Sequence, residues 1–244
     1  MNHTDRRILA VTCFGHFMSH VNMLVYPALV LPLAARLDLE VAAVLGMSFW
    51  MYLLFGITAL PWGVAADRWG APPLLLGYHL GAGLSCAAVA WWMDDPARLP
   101  WALAALGLFS GVYHPAGLGW ISKQVERVSL GLAYNGMAGN LGIALAPLLA
   151  GLVNWQSGPR AVYAIVAVVN GLGAILVLAS PRRGEPRPGT ALPDEGKGVL
   201  GGVVILLVAM MLGGLLYRGG TVILPAYLEL KVTGIFEVMT GWLG

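Results

Sequence analysis

Five side chains able to carry charge or a proton lie inside apolar runs of this chain: His16, His20, His79, His114 and Arg218. Histidine has an unperturbed pKa close to working pH, so it can take and release a proton there. Arginine keeps its charge. Buried mid-helix in a bilayer it costs roughly 2.5–3.5 kcal/mol on insertion scales, so it must face a cavity or a partner. His16 and His20 are four residues apart, hence on one helix face. No Asp or Glu lies well inside any run. Histidines with one guanidinium and no carboxylate suit an anion better than a cation. Each histidine also has a plainer reading, as a hydrogen-bonded packing residue. That reading is favoured for His79, near one end of its run, and stands level with a site role for His16. Position and motif favour a site for His20 and His114. Arg218 is the strongest single candidate, because burying it for packing alone would be costly.

The elements that must position these residues are membrane helices. Hydrophobic residues make up 58% of the 244 residues and charged residues 11%, against about 25% charged in soluble domains. Mean hydropathy is +0.76. So few charges cannot cover a soluble surface, and lipid must be the solvent for much of the chain. Seven runs are long enough to cross a bilayer, near Ile8–Ala35, Ala42–Ala66, Pro72–Met93, Trp101–Ser122, Ser129–Val153, Pro159–Ala179 and Val199–Leu228. Backbone facing lipid must satisfy its own hydrogen bonds, so these are helices and the fold class is an all-α membrane protein. The first run continues for about 28 residues, too long for a signal-peptide core, and is read as a retained span. Cys13 and Cys86 fall inside apolar runs and read as small packing residues. The basic residues are scattered over short loops, which excludes nucleic acid as a partner. Metal-ligand spacing, a phosphate loop, a nucleophile elbow and paired carboxylates are all missing. No enzyme, cofactor or metal is therefore expected.

Loop charges orient the helices. With the N-terminus inside, the inner segments hold Arg6, Arg7, Arg68, Lys123, Arg127, Arg182, Arg183, Arg187 and Lys197, and the outer ones Arg36, Arg98, Arg160 and Lys231. That bias predicts a cytoplasmic N-terminus in a plasma (inner) membrane. Trp91, Trp92, Trp101 and Trp155 then lie at the outer interface. Ser180–Gly198 is polar and rich in proline and glycine, a linker between six spans and a seventh. The expected organisation is a six-span bundle over 1–179, a cytoplasmic linker over 180–198, and a seventh span with the start of the next over 199–244.

Gly63-Val-Ala-Ala-Asp67-Arg68-Trp-Gly70 is a charged turn between two uncharged runs. It resembles the loop joining the second and third spans of the major facilitator superfamily of transporters. The resemblance implies a cytoplasmic gate, with Gly63 allowing close helix packing, Gly70 a sharp turn, and Asp67 pairing with a cation in one state. Lys123 and Arg127 are within reach. Ala71-Pro72-Pro73 departs from the family pattern, which has a basic pair there. In the fifth span, Gly142, Pro147 and Gly151 resemble a glycine–proline motif of exporters in the superfamily, with alanine at two family glycines, Ala146 and Ala150. That motif implies helix packing and supports export; ordinary small-residue packing stands level with it.

Phe109-Ser-Gly-Val-Tyr-His114-Pro-Ala-Gly117, with Gly15-His16 and Leu31-Pro32, resembles the fosmidomycin-resistance branch of the superfamily, which exports an anionic phosphonate. Shifting the chain by 198 residues brings Tyr26-Pro27-Ala28-Leu29 onto Leu224-Pro225-Ala226-Tyr227 and His20 onto Arg218. This agrees with the parallel halves of that fold. In this superfamily the first, fourth and seventh spans line the central cavity, which implies that His16, His20, His114 and Arg218 converge. The expectation is a secondary active, proton-coupled antiporter exporting a small anionic or amphiphilic solute by alternating access. Arg218 would hold the anion, and His20 or His114 would exchange the proton. The alternative is a non-transporting scaffold or sensor built on a partial facilitator fold. The second half is expected to be truncated. A fragment of a longer reading frame is favoured over a short form that needs a partner chain.

Overall fold

The computed structural model describes residues 1–180 and positions 201–202, 205, 208–209, 212–214, 216–217, 219–224, 227–228 and 231. Two compact units divide the chain, Met1–Arg187 and Pro188–Gly244. In the second unit the described positions are helical. Residues 181–198 of the expected linker, and Arg218, lie outside the described residues. Among the described residues there is no strand.

In the first unit the chain runs through six helical rods. The first begins at α1 (His3–Ala28), five residues before the apolar run at Ile8. The early start has a local cause, since the Asn2 Oδ1 caps the helix by accepting from the Asp5 N–H at 2.8 Å. Pro27, which has no N–H to donate, ends α1. The rod continues as α2 (Val30–Leu37). Asp38 then adopts a left-handed φ of 52°, a conformation that Asp tolerates better than most residues. The second rod is α3 (Val41–Met47), α4 (Phe49–Ile57) and α5 (Ala59–Trp69), separated by single residues. α2 and the α3–α4 run meet at 112°. At both breaks a hydroxyl donates back to the preceding turn, Ser48 to the Leu45 carbonyl and Thr58 to the Leu54 carbonyl. Such back-bonding bends helices, so these read as one curved rod.

Gly70, at φ 84°, reverses the chain into α6 (Ala71–Trp91). Pro72 and Pro73 stand in its first turn, where their missing N–H groups cost nothing. The fourth rod is α7 (Leu99–Ser110), a π-helical turn (His114–Leu118) and α8 (Gly119–Gln124). α9 (Val128–Leu178) has 51 residues. At 1.5 Å per residue that is about 77 Å, more than twice a ~30 Å hydrocarbon core. It breaks at Gly158, φ 80°, just before Pro159, and forms two arms that supply the fifth and sixth rods. Each of the first six expected runs thus falls on one rod.

α1 packs on α9, α6 on α9 and α7, and α4 on α7. Tyr26, Tyr78, Tyr113 and Tyr163 are fully buried between the rods. The opposite pattern holds outside: Leu148, Leu152, Val168, Leu172 and Ile175 of α9 are exposed. A water-soluble surface does not carry such a continuous apolar face; lipid is the solvent that matches it, and the chain is an integral membrane protein. Trp91, Trp101 and Trp155 are also exposed, each near a rod end, where indoles favour the membrane interface.

Candidate functional site

His16 and His20 leave α1 one turn apart, and their Nε2 atoms lie 3.2 Å from each other. His114 opens the π-helical turn of the fourth rod and meets both edge-on, with ring centroids 5.2 Å from His16 and 5.8 Å from His20. All three are half-buried, and one ring nitrogen of each lies within 4.8 Å of the others. The π turn has a local cause, because Pro115 cannot donate into the helix ladder. Turns of this kind often mark functional positions. The sequence led us to expect no metal site, yet these three nitrogens form a group able to hold one. The i,i+4 pair was visible in the chain order; its third member, His114, was expected only from the family resemblance.

A second layer holds His16. Its Nδ1 lies 2.9 Å from the Asn135 backbone carbonyl. A carbonyl can only accept, so Nδ1 carries the proton and Nε2 presents its lone pair to His20. Asn135 in turn donates through Nδ2 to the Tyr113 hydroxyl at 2.7 Å, and that hydroxyl donates to the Thr12 carbonyl at 2.6 Å. Tyr113 also stacks on the His16 ring, with centroids 5.2 Å apart. Gly139 leaves room for that ring: a Cβ there would lie 2.6 Å from the His16 Cε1. Asn135 and Tyr113 were missed in the sequence. The available signal was a polar group within an apolar run, which is expensive unless partnered.

His79 does not join this cluster. It is 1% exposed, and its Nδ1 lies 3.3 Å from the Asn170 Oδ1. Asn170 donates to the Asn22 Oδ1 at 2.9 Å, and the Tyr78 hydroxyl donates to the Gly15 carbonyl at 3.2 Å. This second polar knot ties α1, α6 and the second arm of α9 together inside the bundle.

At one end of the bundle Lys123 donates to the Asp67 Oδ1 at 2.6 Å, joining the second and fourth rods. Both side chains are exposed, which limits such a pair to about 0–1 kcal/mol. Arg68 shares the last turn of α5, and Gly70 makes the turn after it. A Cβ on Gly63 would meet the Pro115 Cβ at 3.6 Å, an ordinary contact, so in this conformation Gly63 is not forced by packing. At the far end of α6, Asp94 accepts from both Arg36 and Arg160, at 2.9 and 2.8 Å. The hydrogen bond from Arg36 holds its carboxyl below the usual carboxylate range.

The three expected packing residues of the fifth rod separate. Gly142 is buried, and a Cβ there would lie 2.5 Å from the Phe17 carbonyl oxygen of α1. Pro147 is half-buried, and Gly151 is exposed, with nothing within 4 Å. The buried stripe of this arm is Gly142, Ala146 and Ala150, at a spacing of four. The two alanines that depart from the motif therefore lie on the packed face, and Gly151 lies off it.

The family model described as Major Facilitator Superfamily matches residues 11–243. Among curated proteins the chain is similar to "Multidrug resistance protein MdtG" of Yersinia enterocolitica serotype O:8 / biotype 1B, at 32% identity over 178 residues, covering 67% of this chain and 41% of that protein. Among solved structures it resembles the POT family transporter PepTSo, with a TM-score of 0.62 and 17% identity, covering 90% of this chain and 52% of that one. It also resembles a POT family transporter in complex with 5-aminolevulinic acid, with a TM-score of 0.57 and 16% identity, covering 86% and 47%. At these identities the solved structures speak for the fold alone. The chain spans about half the length of the proteins it matches.

Proposed function

The chain belongs to the major facilitator superfamily, and on that footing we propose that its bundle is the solute- and proton-handling part of a secondary active transporter. The observation that carries this reading is the meeting of His16, His20 and His114 from two different rods, backed by the Asn135–Tyr113–Thr12 relay. A proton arriving on the His16–His20 pair is shared between two nitrogens 3.2 Å apart. Among the described residues the site is built of imidazoles rather than carboxylates, which suits a small anionic or amphiphilic solute. Arg218, which the 198-residue shift aligns with His20, is the residue proposed for the anion's fixed contact. The proton, on His20 or His114, and the solute occupy the site in alternate states, which couples the two fluxes in opposite directions.

Export is the proposed direction, and the exporter-like motif around Gly142 and the name of the multidrug resistance relative support it. Alternating access needs an opposing bundle, in the same polypeptide or in a partner chain. The Asp67–Lys123 pair, with Arg68 beside it, belongs to the gate on the proposed cytoplasmic side. The nine-to-four distribution of Lys and Arg supports an inner-membrane protein with its N-terminus inside.

The test is flux of labelled anionic solutes in vesicles, with and without a pH gradient, using this chain and, separately, its extended reading frame. Gradient-driven flux that disappears in Arg218→Ala and His20→Ala, with insertion intact, is expected. Unchanged flux in Arg218→Ala would sink the site assignment. No flux from either form, with stable insertion, favours the scaffold or sensor reading.

A further inference from the structure

We infer that His16, His20 and His114 form a binding site for a borderline divalent metal ion of the Zn²⁺ class. Two imidazole nitrogens sharing a tetrahedral Zn²⁺ at about 2.0–2.1 Å lie roughly 3.3–3.4 Å apart. The Nε2 atoms of His16 and His20 are already 3.2 Å apart. The third nitrogen lies within 4.8 Å of both, so His114 has to approach by no more than about 1.5 Å to reach that spacing.

The donor chemistry selects the ion. Three imidazoles with no carboxylate suit Zn²⁺, Co²⁺, Ni²⁺ or Cu²⁺ over Mg²⁺ or Ca²⁺, which prefer oxygen. The outer layer matches what such sites need. A metal-bound histidine donates its other N–H to a carbonyl or carboxylate, which sets its tautomer and ring angle. The Nδ1 of His16 does this to the Asn135 carbonyl at 2.9 Å. Asn135 is itself held by Tyr113, whose hydroxyl is anchored on the Thr12 carbonyl. His16 is thus locked with Nε2 facing the other two rings, and Gly139 leaves its ring the space to stay there. The site is made of the same three histidines that the transport reading gives to the proton, with which a metal would compete; the test measures metal binding and no flux, so either reading can fail without the other.

The purified chain in detergent at neutral pH is titrated with Co²⁺ as a spectroscopic probe. The expected result is one Co²⁺ per chain, with ligand-field absorption bands that Zn²⁺ abolishes. His16→Ala, His20→Ala and His114→Ala should each weaken binding by about tenfold or more, since loss of even an outer-layer partner costs 10–100-fold. His3→Ala, which removes a histidine outside the cluster, should leave the bands unchanged. Absence of bands, or bands that survive all three cluster variants, overturns the inference. Zinc-edge X-ray absorption on the unmodified chain covers the case in which a variant does not fold. Three imidazoles on the metal support the site; sulfur ligation or fewer than three imidazoles overturns it.

Discussion

Gly136 and Gly139 lie one turn apart on α9 and make a matched pair. Alanine at Gly136 would meet nothing within 4 Å, whereas a Cβ at Gly139 would lie 2.6–2.7 Å from three atoms of the His16 ring. Both changes carry the same intrinsic helix gain, up to about 1 kcal/mol, so the difference between them isolates the ring contact. Ordinary van der Waals contact begins near 3.4 Å, so the His16 ring must retreat by roughly 0.8 Å at a crowded site. That movement strains two hydrogen bonds, Nδ1 to the Asn135 carbonyl at 2.9 Å and Nε2 to His20 at 3.2 Å. At about 0.5–1.5 kcal/mol each, the two together come to about 1–3 kcal/mol. Gly139→Ala should therefore unfold about 2–12 °C below Gly136→Ala, at 2–4 °C per kcal/mol for a chain of this size. Thermal unfolding of both variants in one detergent, followed by tryptophan fluorescence, measures the gap. Equal midpoints would refute the packing of His16 on Gly139.

Other outcomes follow from the same geometry. Gly107→Ala places a Cβ on the Met51 backbone carbonyl of α4, which cannot swing aside, so a loss of about 1–3 kcal/mol is expected in thermal unfolding; a rise in stability would mean that α4 and α7 are not in close contact. Tyr113→Phe removes the acceptor of the Asn135 Nδ2 and the second donor to the Thr12 carbonyl, which keeps its bond within α1; a cost of about 1–3 kcal/mol is expected for the amide if it finds no water, and ¹⁵N chemical shifts of labelled His16 should move with it. Asp94→Asn tests the clamp on Arg36 and Arg160. The folded pKa of Asp94 is depressed, chiefly by the hydrogen bond from Arg36, so its contribution is present above the unfolded value of about 3.9 and is lost as pH falls through the folded value. The variant and the parent should differ modestly at neutral pH, differ less at high salt because the clamp is half-exposed, and converge in acid. A difference that survives acid would rule out the charge as its source.

The rods themselves were legible in the chain. Apolar runs long enough to cross lipid must be helical, because lipid offers the backbone no other hydrogen-bond partner. Gly70 lies two residues before Pro72 and Gly158 one before Pro159, a local signal for each reversal. The pairing of His16 with His20 was legible too, since residues four apart share a helix face whatever surrounds them. Helical periodicity says nothing about how one rod is rotated or slid against another. The family resemblance, not spacing, brought His114 toward that pair; tertiary structure alone set the Asn135 carbonyl behind His16 and joined Asp94 to Arg36 and Arg160. It also decided that Gly142, Ala146 and Ala150 pack while Gly151 does not, because one residue's step of about 100° around a helix can exchange a buried face for an exposed one. Spacing along the chain thus sets which residues can share a face, and packing between rods decides what that face meets.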